Sequence, residues 1–223
     1  MEILQNLLLL AHVVAAFSAL AAGLAAVLSK TFNTSHRVHV ICGRIFFWGM
    51  FVIFITAVPL SFITGNTFLL LIALFSFYLA LSGWCYAKNR KGLTLRLDWL
   101  RSIGMLAAAF VMAIYGIDLL SGGDTNGYSM LVFSGIGGAL SINDLRIIFT
   151  GGAVGAVRIA NHLTMMLAAT IATITAFLLV NFSFEPAYIL WLAPTVVITP
   201  IIVVWNFKIR RGATSNGVPE VSI

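Results

Sequence analysis

Residues 36–50 read His36-Arg37-Val38-His39-Val40-Ile41-Cys42-Gly43-Arg44-Ile45-Phe46-Phe47-Trp48-Gly49-Met50. His36, His39 and Arg44 are three of the chain's few charged or titratable groups, yet the segment runs on unbroken into an apolar stretch ending near residue 63. About twenty apolar residues is the length that crosses a hydrocarbon core as a helix. Polar chemistry is therefore held at a membrane boundary, and the same arrangement repeats along the chain.

Composition agrees. Of 223 residues, 61% are hydrophobic and 9% are charged, whereas roughly a quarter of a soluble domain is charged. Too few polar side chains remain to cover a water-exposed surface. The apolar runs are continuous rather than alternating over about ten residues, which favours helices over a β-barrel. Each span then satisfies its own backbone hydrogen bonds. The reading is an all-α polytopic bundle of seven transmembrane helices at 3–29, 40–63, 67–87, 99–120, 128–149, 159–182 and 187–207. It forms a single domain over 1–211, followed by a short disordered tail over 212–223 with little to bury.

The first span lacks a basic leader and stays apolar through Leu28, so it is taken as a real span rather than a cleaved signal. Basic residues occupy alternate connections: Lys30 and Arg37, then Lys88, Arg90, Lys91 and Arg96, then Arg146 and Arg158, then Lys208, Arg210 and Arg211. The connections between them hold no Lys or Arg. The positive-inside rule puts the amino terminus outside and the carboxyl terminus in the cytoplasm. The net charge of +6 reads as an orientation signal with attraction to anionic lipid at the cytoplasmic face, not as a nucleic-acid footprint. A second copy of the chain is an open alternative partner.

Small residues recur every fourth position at Ala11, Ala15, Ala19 and Gly23, and again at Ala168, Ala172 and Ala176. Such stripes let membrane helices approach closely, which makes spans one and six the expected bundle centre. Pro59, Pro194 and Pro200 are expected to bend spans two and seven. Cys42 and Cys85 read as small packing residues.

Ionisable residues within an apolar layer cost about 2.5 to 3.5 kcal/mol each on insertion scales unless paired or hydrated. Counting about 1.5 Å per residue, His39, His162 and Asp144 come to a similar depth near the basic boundary. Asp98, Arg44 and Arg158 lie at that boundary, while His12 sits near the midplane and is a proton-pathway candidate. Arg158 and His162, four apart, share a helix face, with Met165 and Met166 one turn further in. His39 and His162, with Asp98 and Asp144, make a candidate metal set, and His39 and His162 with Arg44 and Arg158 make a candidate cofactor set, since imidazole suits Zn, Cu, Fe and Ni. The alternative is that Arg44, Asp98, Arg101, Asp144 and Arg146 simply pair to close the bundle. His36 reads as solvated.

The pattern His12, Lys30, His39-x-x-x-Gly43-Arg44, Met50, Asp98, Asn143-Asp144-Leu145-Arg146, Asn161-His162-Leu163-Thr164-Met165-Met166 and Trp191-Leu192-Ala193-Pro194-Thr195 resembles the bacterial membrane proteins grouped as domain of unknown function 2306. The resemblance spans nearly the whole chain. It implies a bacterial cytoplasmic membrane and draws attention to His12, His39 and His162, without naming an activity.

Three functions follow from the residues. One is a haem- or metal-binding redox or assembly protein, with haem b or a transition metal held by His39 and His162 and the arginines meeting propionates or other anions. Another is a proton-coupled small-molecule transporter using His12 and the inner cluster. The third is an intramembrane zinc hydrolase, which lacks a His-Glu-x-x-His or His-x-x-x-His pair.

Overall fold

The computed structural model describes residues 2–32 and 35–215. Seven helices follow one another: α1 (Glu2–Thr31), α2 (His36–Thr64), α3 (Thr67–Lys88), α4 (Arg96–Ser121), α5 (Asn126–Phe149), α6 (Gly155–Asn181) and α7 (Tyr188–Ser215). Each is long and apolar enough to cross a membrane, which makes the chain an all-α, multi-pass membrane protein. Connections of a few residues reverse the chain between neighbours, so the basic connections gather at one end of the bundle.

The helices outrun the predicted spans at the basic end. At 30 residues, α1 is about 45 Å long against a hydrocarbon core of about 30 Å. α2 begins at His36, where the Ser35 side chain accepts from the Arg37 N–H, so His36 and His39 lie on one helix. α4 begins at Arg96, and Oδ2 of Asp98 accepts the Leu95 N–H at 2.9 Å, closing the exposed first turn. α7 continues to Ser215, past residue 207 and into the predicted tail, whose remainder at 216–223 lies outside the described residues.

α3 is the hub, packing on α2, α4, α5 and α6. The small-residue stripes predicted α1 and α6 there instead. α6 does touch α3, α7 and α1, whereas α1 lies at the side against α2 and α6. The α1 stripe still works as a close-approach surface: Ala15, Ala19 and Gly23 are buried, and Gly49 of α2 sits where a Cβ would come within 3.0 Å of Ala19. On α6 the buried face is rotated from the predicted one, with Met165, Ala169, Thr170 and Thr173 inward and Ala176 exposed. The prolines lie inside α2 and α7 as expected.

Between these helices Leu79, Met112, Met130 and Met165 are fully buried, and Phe75 stacks on Phe133 with ring centroids 5.5 Å apart. At the basic end the α3–α4 and α5–α6 connections meet through Gly92 and Gly152. Both have positive φ, 70° and 95°, and a Cβ on Gly152 would collide with the Gly92 carbonyl. Only glycine satisfies both conditions here.

Candidate functional site

Two polar centres lie at the basic end, on different faces of the last turns of α3. The first is a histidine pair. Nδ1 of His162 on α6 is 2.9 Å from the Gly83 carbonyl of α3, and Nδ1 of His39 on α2 is 3.1 Å from the Ala26 carbonyl of α1. A carbonyl only accepts, so each imidazole carries its proton on Nδ1 when neutral, leaving Nε2 with a free lone pair. The two rings adjoin nearly at right angles, with centroids 6.4 Å apart. His36 stacks on His39 at the same centroid distance. This row of three rings runs from an exposed His36 to half-buried His39 and His162.

Gly83 is what allows it. A Cβ there would lie 2.8 Å from Cγ of Met166, so any larger residue would push α3 and α6 apart and draw the carbonyl away from His162. Arg158, one turn before His162, donates from Nη1 to the carbonyls of Tyr86 at 2.9 Å and Ala87 at 3.3 Å. It thereby serves the open carbonyls at the end of α3.

The second centre is an ion network. Asp144 is fully buried and accepts from the Tyr78 hydroxyl at 2.9 Å, the Tyr86 hydroxyl at 2.6 Å and Nη1 of Arg101. Arg101 also donates from Nη1 to the Ser82 hydroxyl at 2.6 Å and from Nε to Asp98 at 3.2 Å. Its guanidinium lies 5.2 Å from the Tyr86 ring centroid. The carboxylate of Asp144 has no cation in water to lean on, so its three donors and the adjacent charge are what make burial tolerable. A cavity of about 20 Å³ beside Arg101, Asp98 and Tyr86 has room for about one water. The network is a closed lock between α3, α4 and α5.

The predicted site residues therefore separate. His39 and His162 come together, but Asp98 and Asp144 are engaged by Arg101 and do not join them. Among the described residues no group of three His, Cys, Asp or Glu side chains is close enough to hold a metal ion. Of the arginines expected to pair at this boundary, the one that meets Asp144 is Arg101, because α4 packs on both α3 and α5 and carries Arg101 into the gap between them. Arg44 and Arg146 are exposed. His12 lies elsewhere, its Nδ1 3.0 Å from the Thr56 hydroxyl. Fourteen residues along α1 separate it from the Ala26 carbonyl that holds His39, about 21 Å.

Several contributors escaped the sequence reading. Tyr78, Ser82 and Tyr86 are four apart, a hydroxyl stripe on one face of an otherwise apolar helix, and that spacing was a usable signal. Asn143 and Asn161, each beside a site residue, are joined by a 2.9 Å amide bond from α5 to α6. Compared with known proteins, the chain matches no family model, no curated protein and no solved structure.

Proposed function

We propose that this is a bacterial cytoplasmic-membrane protein, related to the domain of unknown function 2306 group, that binds a haem or transition-metal ion through His39 and His162. The observation that carries this reading is the pair of Nδ1 to carbonyl hydrogen bonds. Histidines that ligate metals through Nε2 characteristically anchor the other nitrogen in this way, which fixes both the tautomer and the ring.

The donor set favours haem over a bare zinc ion. A structural zinc takes four protein ligands and a catalytic one three, while a haem brings most of its iron's ligands with it, so His39 and His162 would suffice to hold it and it would supply one-electron chemistry. Arg158, a turn from His162, is the arginine placed near such a group; Arg44 stands apart on the exposed face of α2. The alternate placement of the basic residues supports a cytoplasmic location for this end of the bundle, with anionic lipid around it.

The test is a visible spectrum with metal analysis on protein purified gently from membranes grown with iron and zinc. A Soret band lost in both His39→Ala and His162→Ala, and retained in His36→Ala, is the expected result. Its absence, with no stoichiometric metal, overturns the reading. The row from exposed His36 through His39 to His162 favours a second reading, a proton relay in a proton-coupled carrier. In that case His36→Ala would also matter, and no cofactor would be found.

A further inference from the structure

The other end of the bundle differs in charge and in shape. None of the 13 Lys and Arg residues lies there, and its charged side chains are the carboxylates Glu2, Asp118, Asp124 and Glu185. Between the α2–α3 turn, the α4–α5 connection and the start of α7 lies a cleft of about 540 Å³. That falls within the roughly 300–1,000 Å³ of small-molecule sites.

The walls combine aromatic side chains with polar ones, among them Asn66, Thr67 and Asn126, and Asp124 is the one charged residue that lines the cleft. Phe68 and Trp191 meet edge to face with centroids 4.9 Å apart, and Tyr115 lines the same space. The side-chain oxygen of Asn126 is buried and accepts no hydrogen bond among the described residues, a condition native proteins rarely leave without a ligand or water. Asp124 uses one carboxylate oxygen to accept the Asn126 N–H at 2.9 Å, which leaves the other for a ligand.

These features select a ligand class by complementarity. An anion would meet Asp124 with no cation nearby to offset it. A hydrocarbon would fill the aromatic walls but leave the Asn126 oxygen unpaired. A positively charged group with N–H donors and an apolar body satisfies both, because aromatic faces attract ammonium ions and the carboxylate supplies the counter-charge. We propose that this cleft binds an organic ammonium ion, its nitrogen against Asp124 and Asn126 and its body against Phe68, Tyr115 and Trp191. The site lies at the opposite end of the bundle from the histidine pair and does not rest on the cofactor reading.

The test uses the whole chain in lipid nanodiscs, titrated calorimetrically with 2-phenylethylammonium and, for comparison, with the uncharged 2-phenylethanol, subtracting empty nanodiscs. The amine is expected to saturate one site and to bind at least about tenfold more tightly than the alcohol, as removal of a paired charge commonly costs. Asp124→Asn, which keeps an oxygen to accept the Asn126 N–H, should weaken the amine about tenfold, Asn126→Asp should tighten it, and His39→Ala should leave it unchanged. Equal affinity for amine and alcohol, no saturable amine binding up to millimolar concentration, or an affinity that moves with neither Asp124→Asn nor Asn126→Asp would each overturn the proposal.

Discussion

Tyr86 and Asp144 are joined across α3 and α5 by a 2.6 Å hydrogen bond from hydroxyl to carboxylate, at a point where Asp144 has no exposed surface. With Tyr78 and Arg101 it completes the donor set of Asp144, the one fully buried charge among the described residues. Any packing that parted α3, α4 and α5 here would leave a buried charge without its partners, which is costly.

Removing the charge is expected to be costly. Asp144→Asn removes one of the two carboxylates paired with the buried Arg101 guanidinium, leaving Asp98 alone against it, and should destabilise the bundle by up to about 3 to 5 kcal/mol. Denaturant unfolding in detergent measures this, and Arg101→Met combined with Asp144→Asn should recover part of the loss. Combining Asp144→Asn with Arg146→Met should recover none, because Arg146 is exposed.

The two tyrosines are expected to act through the same acceptor. Tyr78→Phe and Tyr86→Phe each remove one donor from a buried carboxylate, with an expected loss of about 1 to 3 kcal/mol apiece. The double variant should depart from the sum of the singles, and a double-mutant cycle on melting reads the coupling. Simple additivity would mean the two hydroxyls do not share Asp144.

At Gly83 the expected cost is steric. Gly83→Ala places a Cβ 2.8 Å from Cγ of Met166, and overpacking of this kind typically costs about 1 to 3 kcal/mol. Met166→Ala in the same chain should relieve it. Because the Gly83 carbonyl holds His162, Gly83→Ala alone should also weaken retention of the haem or metal ion proposed for the histidine pair, which visible absorbance would show.

Orientation is open to a direct check. A reporter fused after Arg90 is expected on the cytoplasmic side and one fused after Asp124 on the outer side. The reverse pattern would invert the orientation, and the same side for both would contradict the alternating seven-helix topology.

Hydropathy and charge spacing carried the fold a long way: seven apolar runs became seven helices, since length and composition alone decide what can cross lipid. Helix ends were less legible, because α2 and α4 start on polar turns, His36–Arg37 and Arg96–Leu97–Asp98, that a hydropathy window discards. The pairing of His39 with His162 could be anticipated from depth. The choice of Arg101 for Asp144 could not, because depth ranks several arginines alike, and only the packing of α4 against both α3 and α5 decides among them. Tyr78, Ser82 and Tyr86 carry hydroxyls that hydropathy and charge spacing pass over, whereas a carboxylate at this depth recruits hydroxyls as well as cations.

Ser82 and Gly83 are consecutive residues, yet the hydroxyl of one holds Arg101 and the carbonyl of the other holds His162. A slide of α3 along its axis by a single residue's rise, about 1.5 Å, would disturb both bonds at once. Any occupant that stiffens His162 in its present pose therefore has to favour the same position of α3 as the Arg101–Asp144 pair. Reciprocity then applies: whatever factor neutralising Asp144 takes from affinity at the histidines, filling the histidines must return to the strength of the ion pair.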